Sequence, residues 1–160
     1  MKKTFLILMM LTAVISVKAQ DETPSLKYVF EVQAVCDKAY QCGETPMGVR
    51  NIIPIIGGQV VGPEVNGKII PGGADYQLIE SKTGRTQLEA IYSFTTDDGI
   101  NIHVRNVGVL SDGPEGRYFR TSPKFEAPED SKYGWLNNCI FICVPTVKKE
   151  YISLKMYKVE

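Results

Sequence analysis

Apolar and polar residues alternate along most of the chain after residue 20, the periodicity of β-strands that bury one face. Turn signals such as Gly57-Gly58, Asn66-Gly67, Pro71-Gly72-Gly73 and Asp98-Gly99 separate the alternating runs. Short strands with regularly spaced turns are typical of an antiparallel sandwich or barrel. About ten strands need their edges covered, and closure does this directly. We therefore predict an all-β fold, a closed or nearly closed antiparallel β-barrel of about eight to ten strands.

One segment, residues 123–137, interrupts this rhythm. It contains two prolines, several acidic residues and an aromatic cluster around Tyr133 and Trp135. This mixture predicts a loop that folds over one end of the barrel and is held there by its aromatic side chains.

The N-terminus has the pattern of a secretory signal peptide. Lys2 and Lys3 precede an apolar run, and Val17-Lys18-Ala19 resembles a cleavage site. The run is too short for a membrane-spanning helix. We predict a signal peptide over residues 1–19, a single barrel domain over residues 20–160, and a periplasmic or secreted product without a membrane anchor.

Charge narrows the choice of partners. Cleavage after Ala19 removes three of the 18 basic residues and none of the 18 acidic ones, which leaves a net charge of −3. A mildly acidic chain has no excess of Lys and Arg for phosphate binding, so we expect no nucleic-acid partner. Homo-oligomer formation stays open.

Four cysteines in an exported chain predict disulfides. If Cys139 and Cys143 lie on one strand, they are about 13 Å apart and cannot bridge each other. Each would then pair with Cys36 or Cys42. The alternative is one local Cys36–Cys42 bridge with two buried thiols. The spacing of the cysteines does not match zinc knuckles, so we predict no metal. The sequence has no Walker loop or dinucleotide fingerprint, so we predict no cofactor.

Five segments, in this order, carry a family resemblance: Gly43–Pro63, Gly67–Gln77, Thr96–Ile102, Tyr118–Glu126 and Tyr133–Asn137. Together they resemble the DUF3237 family, also called UPF0311, over about residues 26 to 158. The resemblance implies an antiparallel β-barrel of calycin-like appearance with largely unassigned biochemistry. Many relatives are cytoplasmic, lack the signal peptide and the cysteines, and carry Arg where this chain has Ile91, so no role of that arginine is transferred.

Two residues are candidates for proton transfer. Asp75 leads into a predicted strand, where its carboxylate either faces the barrel mouth as a general base or ties down its own turn. His103 is the one histidine of the chain, and histidine is the residue type best suited to shuttle protons near neutral pH. The alternative is a solvated strand residue, because alternation alone does not say whether Asn101, His103 and Arg105 face the lumen or the solvent.

Several further residues are candidates for ligand binding. Arg50 and Arg120 offer planar guanidinium groups for a carboxylate or enolate, or they form ion pairs with Asp75 or Glu126. The aromatic and amide candidates form a pocket wall and rim, or simply pack the loop. They are Tyr92, Tyr133, Trp135 and Asn137.

Three functions follow from these residues. The first is an exported barrel that binds an apolar or aromatic compound with one acidic group, oriented by Arg50 or Arg120. The second is a cofactor-independent isomerase or lyase acting on a carbonyl compound, with Asp75 or His103 as base and an arginine that stabilises an enolate. The third is a structural or protein-interaction barrel with a filled interior.

Overall fold

The computed structural model describes residues 23–160, so the predicted signal peptide lies outside the described residues. Nine strands and one short 3₁₀ helix, Gly134–Asn138, are formed in the described part. The strands are β1 Leu26–Cys36, β2 Tyr40–Thr45, β3 Gly48–Val61, β4 Gly67–Ile79, β5 Thr86–Thr96, β6 Asn101–Gly113, β7 Gly116–Glu126, β8 Phe141–Val147 and β9 Ile152–Val159. Over residues 23–160, no helix has the length and apolar character needed to cross a membrane.

The strands close on themselves. Each strand from β3 to β8 pairs antiparallel with the next in sequence, while β1 pairs with both β9 and β3. This gives a closed ring of eight strands, and β2 is an extra strand that pairs with β3. Closure pairs the backbone groups that an open sheet would leave along two edges. The predicted all-β barrel is confirmed.

Aromatic side chains fill one half of the barrel. Phe125 stacks edge-on against Phe30 and Phe141, with ring centroids 5.6 and 5.0 Å apart. The 3₁₀ helix closes this end, where Leu136 is 1% exposed and Trp135 packs on Phe141. The segment that follows β7, residues 127–138, therefore covers one end of the barrel, and we call this end the closed end. Residues 123–126, which we predicted as part of this loop, belong to β7 instead.

Two glycine-rich segments that we expected to be turns lie inside strands instead. The β3–β4 register shifts between Ile55 and Gln59, and the β4–β5 register shifts between Ile70 and Ala74. Gly58 has a φ of 131°, and a Cβ there would collide with the carbonyl of Gln33 in β1. These glycines therefore form bulges that bend the wall and let the strands approach closely.

Candidate functional site

The half of the barrel remote from the 3₁₀ helix holds an apolar cavity of ≈ 200 Å³ that opens to solvent. We call this cavity the lumen. Strands β1 and β3 to β9 all contribute to its wall. The apolar lining includes Ala34, Ile53, Ile55, Leu88, Ala90, Leu110, Phe119, Pro145, Val147, Ile152 and Leu154. Such a wall excludes water from a small apolar guest and strengthens any polar contact made inside.

Asp75 is the charged residue on this wall in the described part of the chain. Its Oδ2 accepts a hydrogen bond from Gln77 Nε2 at 2.8 Å, and its Oδ1 accepts one from the Glu89 backbone N–H at 3.2 Å. Asn51 Nδ2 in turn donates to Gln77 Oε1 at 2.9 Å. Strands β3, β4 and β5 bring these groups together because Asn51 pairs with Gln77, and Asp75 with Ala90.

Burial raises the pKa of the Asp75 carboxyl above its ordinary value, and the hydrogen bonds from Gln77 and Glu89 partly oppose this shift. Desolvation disfavours the charged form of a carboxyl group, so Asp75 holds its proton more readily than an exposed aspartate. The Cys36 thiol lines the same wall, and burial together with the nearby Asp75 raises its pKa as well. Asp75 therefore has the location and the protonation behaviour of a general acid–base group.

A second polar group lies deeper, where the lumen meets the packed half of the barrel. Asn106 and Thr121 line the lumen, yet they are only 2% and 7% exposed. Asn106 Oδ1, Thr121 Oγ1 and the hydroxyl of Tyr92 have no hydrogen-bond partner in the described structure. The Cys143 thiol lies beside them; burial raises its pKa to about 11, and its contacts with Thr121 and Asn106 partly oppose this shift. We call Tyr92, Asn106, Thr121 and Cys143 the polar floor.

Sequence reasoning missed Gln77, Asn106 and Thr121. The signal for Asn106 was present, because Asn106 continues the apolar phase of Ile102 and Val104 and is the first polar residue on that face. A polar residue in phase with a buried face is expected to have a partner or a function. Gln77 follows Asp75 by two positions, so the strand period also places the two side chains on one face.

Three predicted lumen residues lie on the outer wall. Arg50 donates to the Tyr76 carbonyl at 2.9 Å, and Arg120 donates to the Phe119 carbonyl and lies over the Tyr118 ring. His103 Nδ1 is 3.0 Å from Ser93 Oγ. All three are out of phase with the lumen residues of their own strands, so their side chains lie outside the lumen. The lumen position expected for Arg50 and Arg120 is wrong, and His103 lies on the solvent side, one of the two positions that strand alternation left open.

The predicted aromatic wall belongs to the closed end. The Tyr133 hydroxyl donates to Asp98 Oδ1 at 2.7 Å, and this bond is the largest of the contacts that hold the Asp98 pKa well below its usual range. Asn137 binds both the N–H and the carbonyl of Ala127 at 2.8 Å. Tyr133, Trp135 and Asn137 thus pack and anchor the loop, remote from the lumen, whereas Tyr92 reaches the polar floor.

All four cysteines are free thiols in the structure, so the disulfide predictions are not supported. Cys36 lies at the lumen end of β1, paired with Ile55, while Cys139 lies at the closed end beside Lys158. Lys158 pairs with Lys27, nine residues before Cys36 on β1, so the two cysteines are about 30 Å apart at ~3.4 Å per residue. Cys42 is exposed on β2, and Cys143 is buried in β8. In residues 23–160, no three His, Cys, Asp or Glu side chains converge on a metal-sized site.

A second concavity lies on the outer wall, where a groove of ≈ 460 Å³ runs along β3 to β6. Two of its three arginines, Arg85 and Arg105, are paired with Glu80 and Glu89, and the third, Arg50, donates to the Tyr76 carbonyl. The groove is shallow and its charges are largely compensated, so the lumen is the better candidate site.

The fold and the site define the class of protein: a closed antiparallel β-barrel whose apolar lumen carries one largely buried carboxyl group. The particular family follows from comparison, because residues 24–159 match the model described as "Protein of unknown function (DUF3237)". The chain therefore belongs to the DUF3237 family, which confirms the resemblance.

Named relatives agree with this assignment. The UPF0311 protein RPA1785 of Rhodopseudomonas palustris is 40% identical over 136 residues, which cover 75% of this chain and 88% of the relative. Its crystal structure superposes with a TM-score of 0.79 at 35% identity, covering 87% of this chain and 99% of the other. A beta-barrel like protein from Acinetobacter baumannii, with a TM-score of 0.81 at 24% identity, covers 89% of this chain and 100% of its own and supports the fold alone.

A more distant relative is named for an activity. The hydroalkoxylation enzyme phnH of Penicillium herquei is 24% identical over 160 residues and matches the full length of both chains.

Proposed function

We propose that the protein binds an apolar small molecule in the lumen and catalyses proton transfer on it without a cofactor, with Asp75 as the acid–base group. The observation that carries this proposal is the Asp75 carboxyl group on an apolar wall, where burial raises its pKa. A carboxyl group whose pKa is raised keeps a transferable proton over a wider pH range, which suits general acid–base catalysis.

The name of the distant relative supports the same class of chemistry. Hydroalkoxylation adds an alcohol O–H across a C=C bond, so one C–O bond and one C–H bond form and the O–H bond and the C=C π bond break. A single carboxyl group can complete this cycle, because it gives its proton to carbon and takes one from the hydroxyl. No electron acceptor is needed. The proposed reaction is therefore an addition, elimination or isomerisation at a double bond.

This proposal changes one part of the sequence-based hypothesis. An enolate intermediate needs a positive group near its oxygen, and the arginines expected to supply it lie on the outer wall. An uncharged double bond activated by protonation fits a lumen whose described wall carries a carboxyl group and no cation.

The test uses 4-vinylphenol in D₂O, with deuterium incorporation into the vinyl group followed by NMR. Reversible protonation of the vinyl carbon exchanges its hydrogens with solvent. We expect incorporation above the buffer rate and a loss of about 10²- to 10⁴-fold in Asp75→Asn. Asp130→Asn is the matched control, because Asp130 is exposed in the loop at the closed end. Equal rates in Asp75→Asn and the unmodified protein contradict the catalytic role.

A carrier that only binds its ligand is the second candidate. Both oxygens of Asp75 already accept hydrogen bonds, which also suits a carboxylate that merely stabilises the wall. Binding of 4-vinylphenol without exchange in any variant favours this carrier.

We also propose that the protein is exported, on the strength of residues 2–19 alone. Intact-mass measurement of the product from the exported fraction tests this, and cleavage after Ala19 is the expected result. Retention of the full chain in the cytoplasm contradicts export.

A further inference from the structure

Two polar atoms of the polar floor have no partner although their side chains line the lumen. These are Asn106 Oδ1 and Thr121 Oγ1, which belong to neighbouring strands because Asn106 in β6 pairs with Pro123 and Gly108 pairs with Thr121. Buried polar groups are nearly always hydrogen-bonded, so an unpartnered pair calls for an explanation. A ligand atom that completes their hydrogen bonds is one such explanation.

A rotation about one bond can exchange each unpartnered oxygen with the group beside it on the same side chain. Rotation about χ1 exchanges the hydroxyl and methyl of Thr121, and rotation about χ2 exchanges the oxygen and nitrogen of Asn106. Neither rotation sacrifices a hydrogen bond of the unpartnered oxygen. A ligand hydroxyl can both donate and accept, so it can satisfy Thr121 and Asn106 together.

The lumen also restricts the charge and size of a ligand. Its described lining includes no Lys, Arg or His, and Asp75 would repel an anion. A buried anion without a partner is strongly unfavourable, which excludes a ligand carboxylate from the interior. The volume of ≈ 200 Å³ modestly exceeds the ~150 Å³ of an apolar cavity that takes benzene. A single substituted ring fits, and a longer substituent can extend through the open end.

We infer that the substrate is a neutral phenol whose hydroxyl enters first and binds between Asn106 and Thr121. This inference rests on the proposed function, since it specifies which end of the lumen-bound molecule lies at the polar floor. The sequence-based expectation of an acidic ligand is replaced, because the lumen offers a neutral hydrogen-bonding floor and no cation in the described residues.

The experiment compares three probes of nearly equal shape by NMR titration: p-cresol, p-xylene and the p-toluate anion. They place a hydroxyl, a methyl or a carboxylate on the same ring. We expect p-cresol to bind about tenfold more tightly than p-xylene, since the hydroxyl completes hydrogen bonds that the methyl cannot. We expect p-toluate to bind more weakly than both.

Two variants locate the hydroxyl. Thr121→Val keeps the shape of the side chain and should reduce the preference for p-cresol to about threefold or less. Thr96→Val is the control, because Thr96 is a buried threonine at the C-terminal end of β5 whose hydroxyl is bonded to Ile100. It should leave the preference unchanged in the folded protein.

The outcomes separate this inference from the proposed function. Equal affinity for p-cresol and p-xylene, or tighter binding of p-toluate, overturns the phenol assignment, while vinyl exchange dependent on Asp75 still supports acid–base catalysis. A preference for p-cresol that survives in Thr121→Val also overturns the assignment. Binding of none of the probes overturns both proposals.

Discussion

Replacing the Thr121 hydroxyl by a methyl group should stabilise the protein, although most substitutions in a barrel interior destabilise it. Thr121 is 7% exposed and its Oγ1 has no hydrogen-bond partner. An unsatisfied buried hydroxyl costs about 1 to 3 kcal/mol, and valine removes this cost without leaving a cavity. Thr121→Val should therefore raise the free energy of unfolding by about 1 to 3 kcal/mol and the melting temperature by about 4 °C per kcal/mol.

The assay is urea denaturation followed by the fluorescence of Trp135, the one tryptophan of the chain. Thr96→Val is the matched control, since Thr96 is 3% exposed and its hydroxyl both donates to the Ile100 carbonyl at 3.2 Å and accepts from the Ile100 N–H at 2.9 Å. This control should lose about 1 to 3 kcal/mol because it leaves the Ile100 N–H unpaired, although the Ile100 carbonyl keeps its bond from the Thr96 N–H.

The opposite signs of the two variants are the critical result. If Thr121→Val is destabilised as much as Thr96→Val, the Thr121 hydroxyl has a partner in solution. The polar floor then has no need of a ligand hydroxyl to complete its hydrogen bonds, and the phenol assignment is refuted.

Three other measurements test separate parts of the structure. The pKa of Asp75 is raised in the folded state. As pH rises from the unfolded-state pKa through the folded-state pKa, the unmodified protein should therefore lose stability relative to Asp75→Asn. Denaturation at several pH values checks this, and a gain in stability relative to Asp75→Asn contradicts the raised pKa. Asn137→Ala removes two bonds to the Ala127 backbone and should lower the free energy of unfolding by about 1 to 2 kcal/mol in urea titrations; no change would deny the anchor. Thiol labelling should modify exposed Cys42 first and the buried Cys143 only after unfolding, and a non-reducing mass that shows a bridge contradicts the free thiols.

Strand alternation predicted the barrel but left the choice of interior face open. In β6 it separated Ile102 and Val104 from His103 and Arg105, and either set could have faced inward. Closure resolves this, because the apolar set meets Phe30, Phe94 and Phe125 in the packed half. Asp75 was found because its polar face happens to be the inner one, whereas Arg50 and Arg120 were assigned to the wrong side.

Features that depend on strand register were beyond the reach of spacing rules. Gly57-Gly58 and Gly72-Gly73 resemble turn signals, yet β1 and β5 pair beside them and make them bulges. The cysteine pairing failed for a related reason. The chain showed that Cys139 and Cys143 were close in sequence, but only the β1–β9 and β8–β9 registers show how far Cys36 lies from either.

The 3₁₀ helix and the aromatic side chains beside it seal one mouth, so the barrel is closed at that end. A ligand that enters hydroxyl-first, as we propose, would have to leave through the open mouth, and its other end would stay near that mouth. Substitutions at the open mouth, at residues such as Val147 and Ile152, would then change which substituents fit there, while the polar floor that binds the hydroxyl stays unchanged. The ligands of such a barrel would therefore differ from one another at the end that lies in the open mouth.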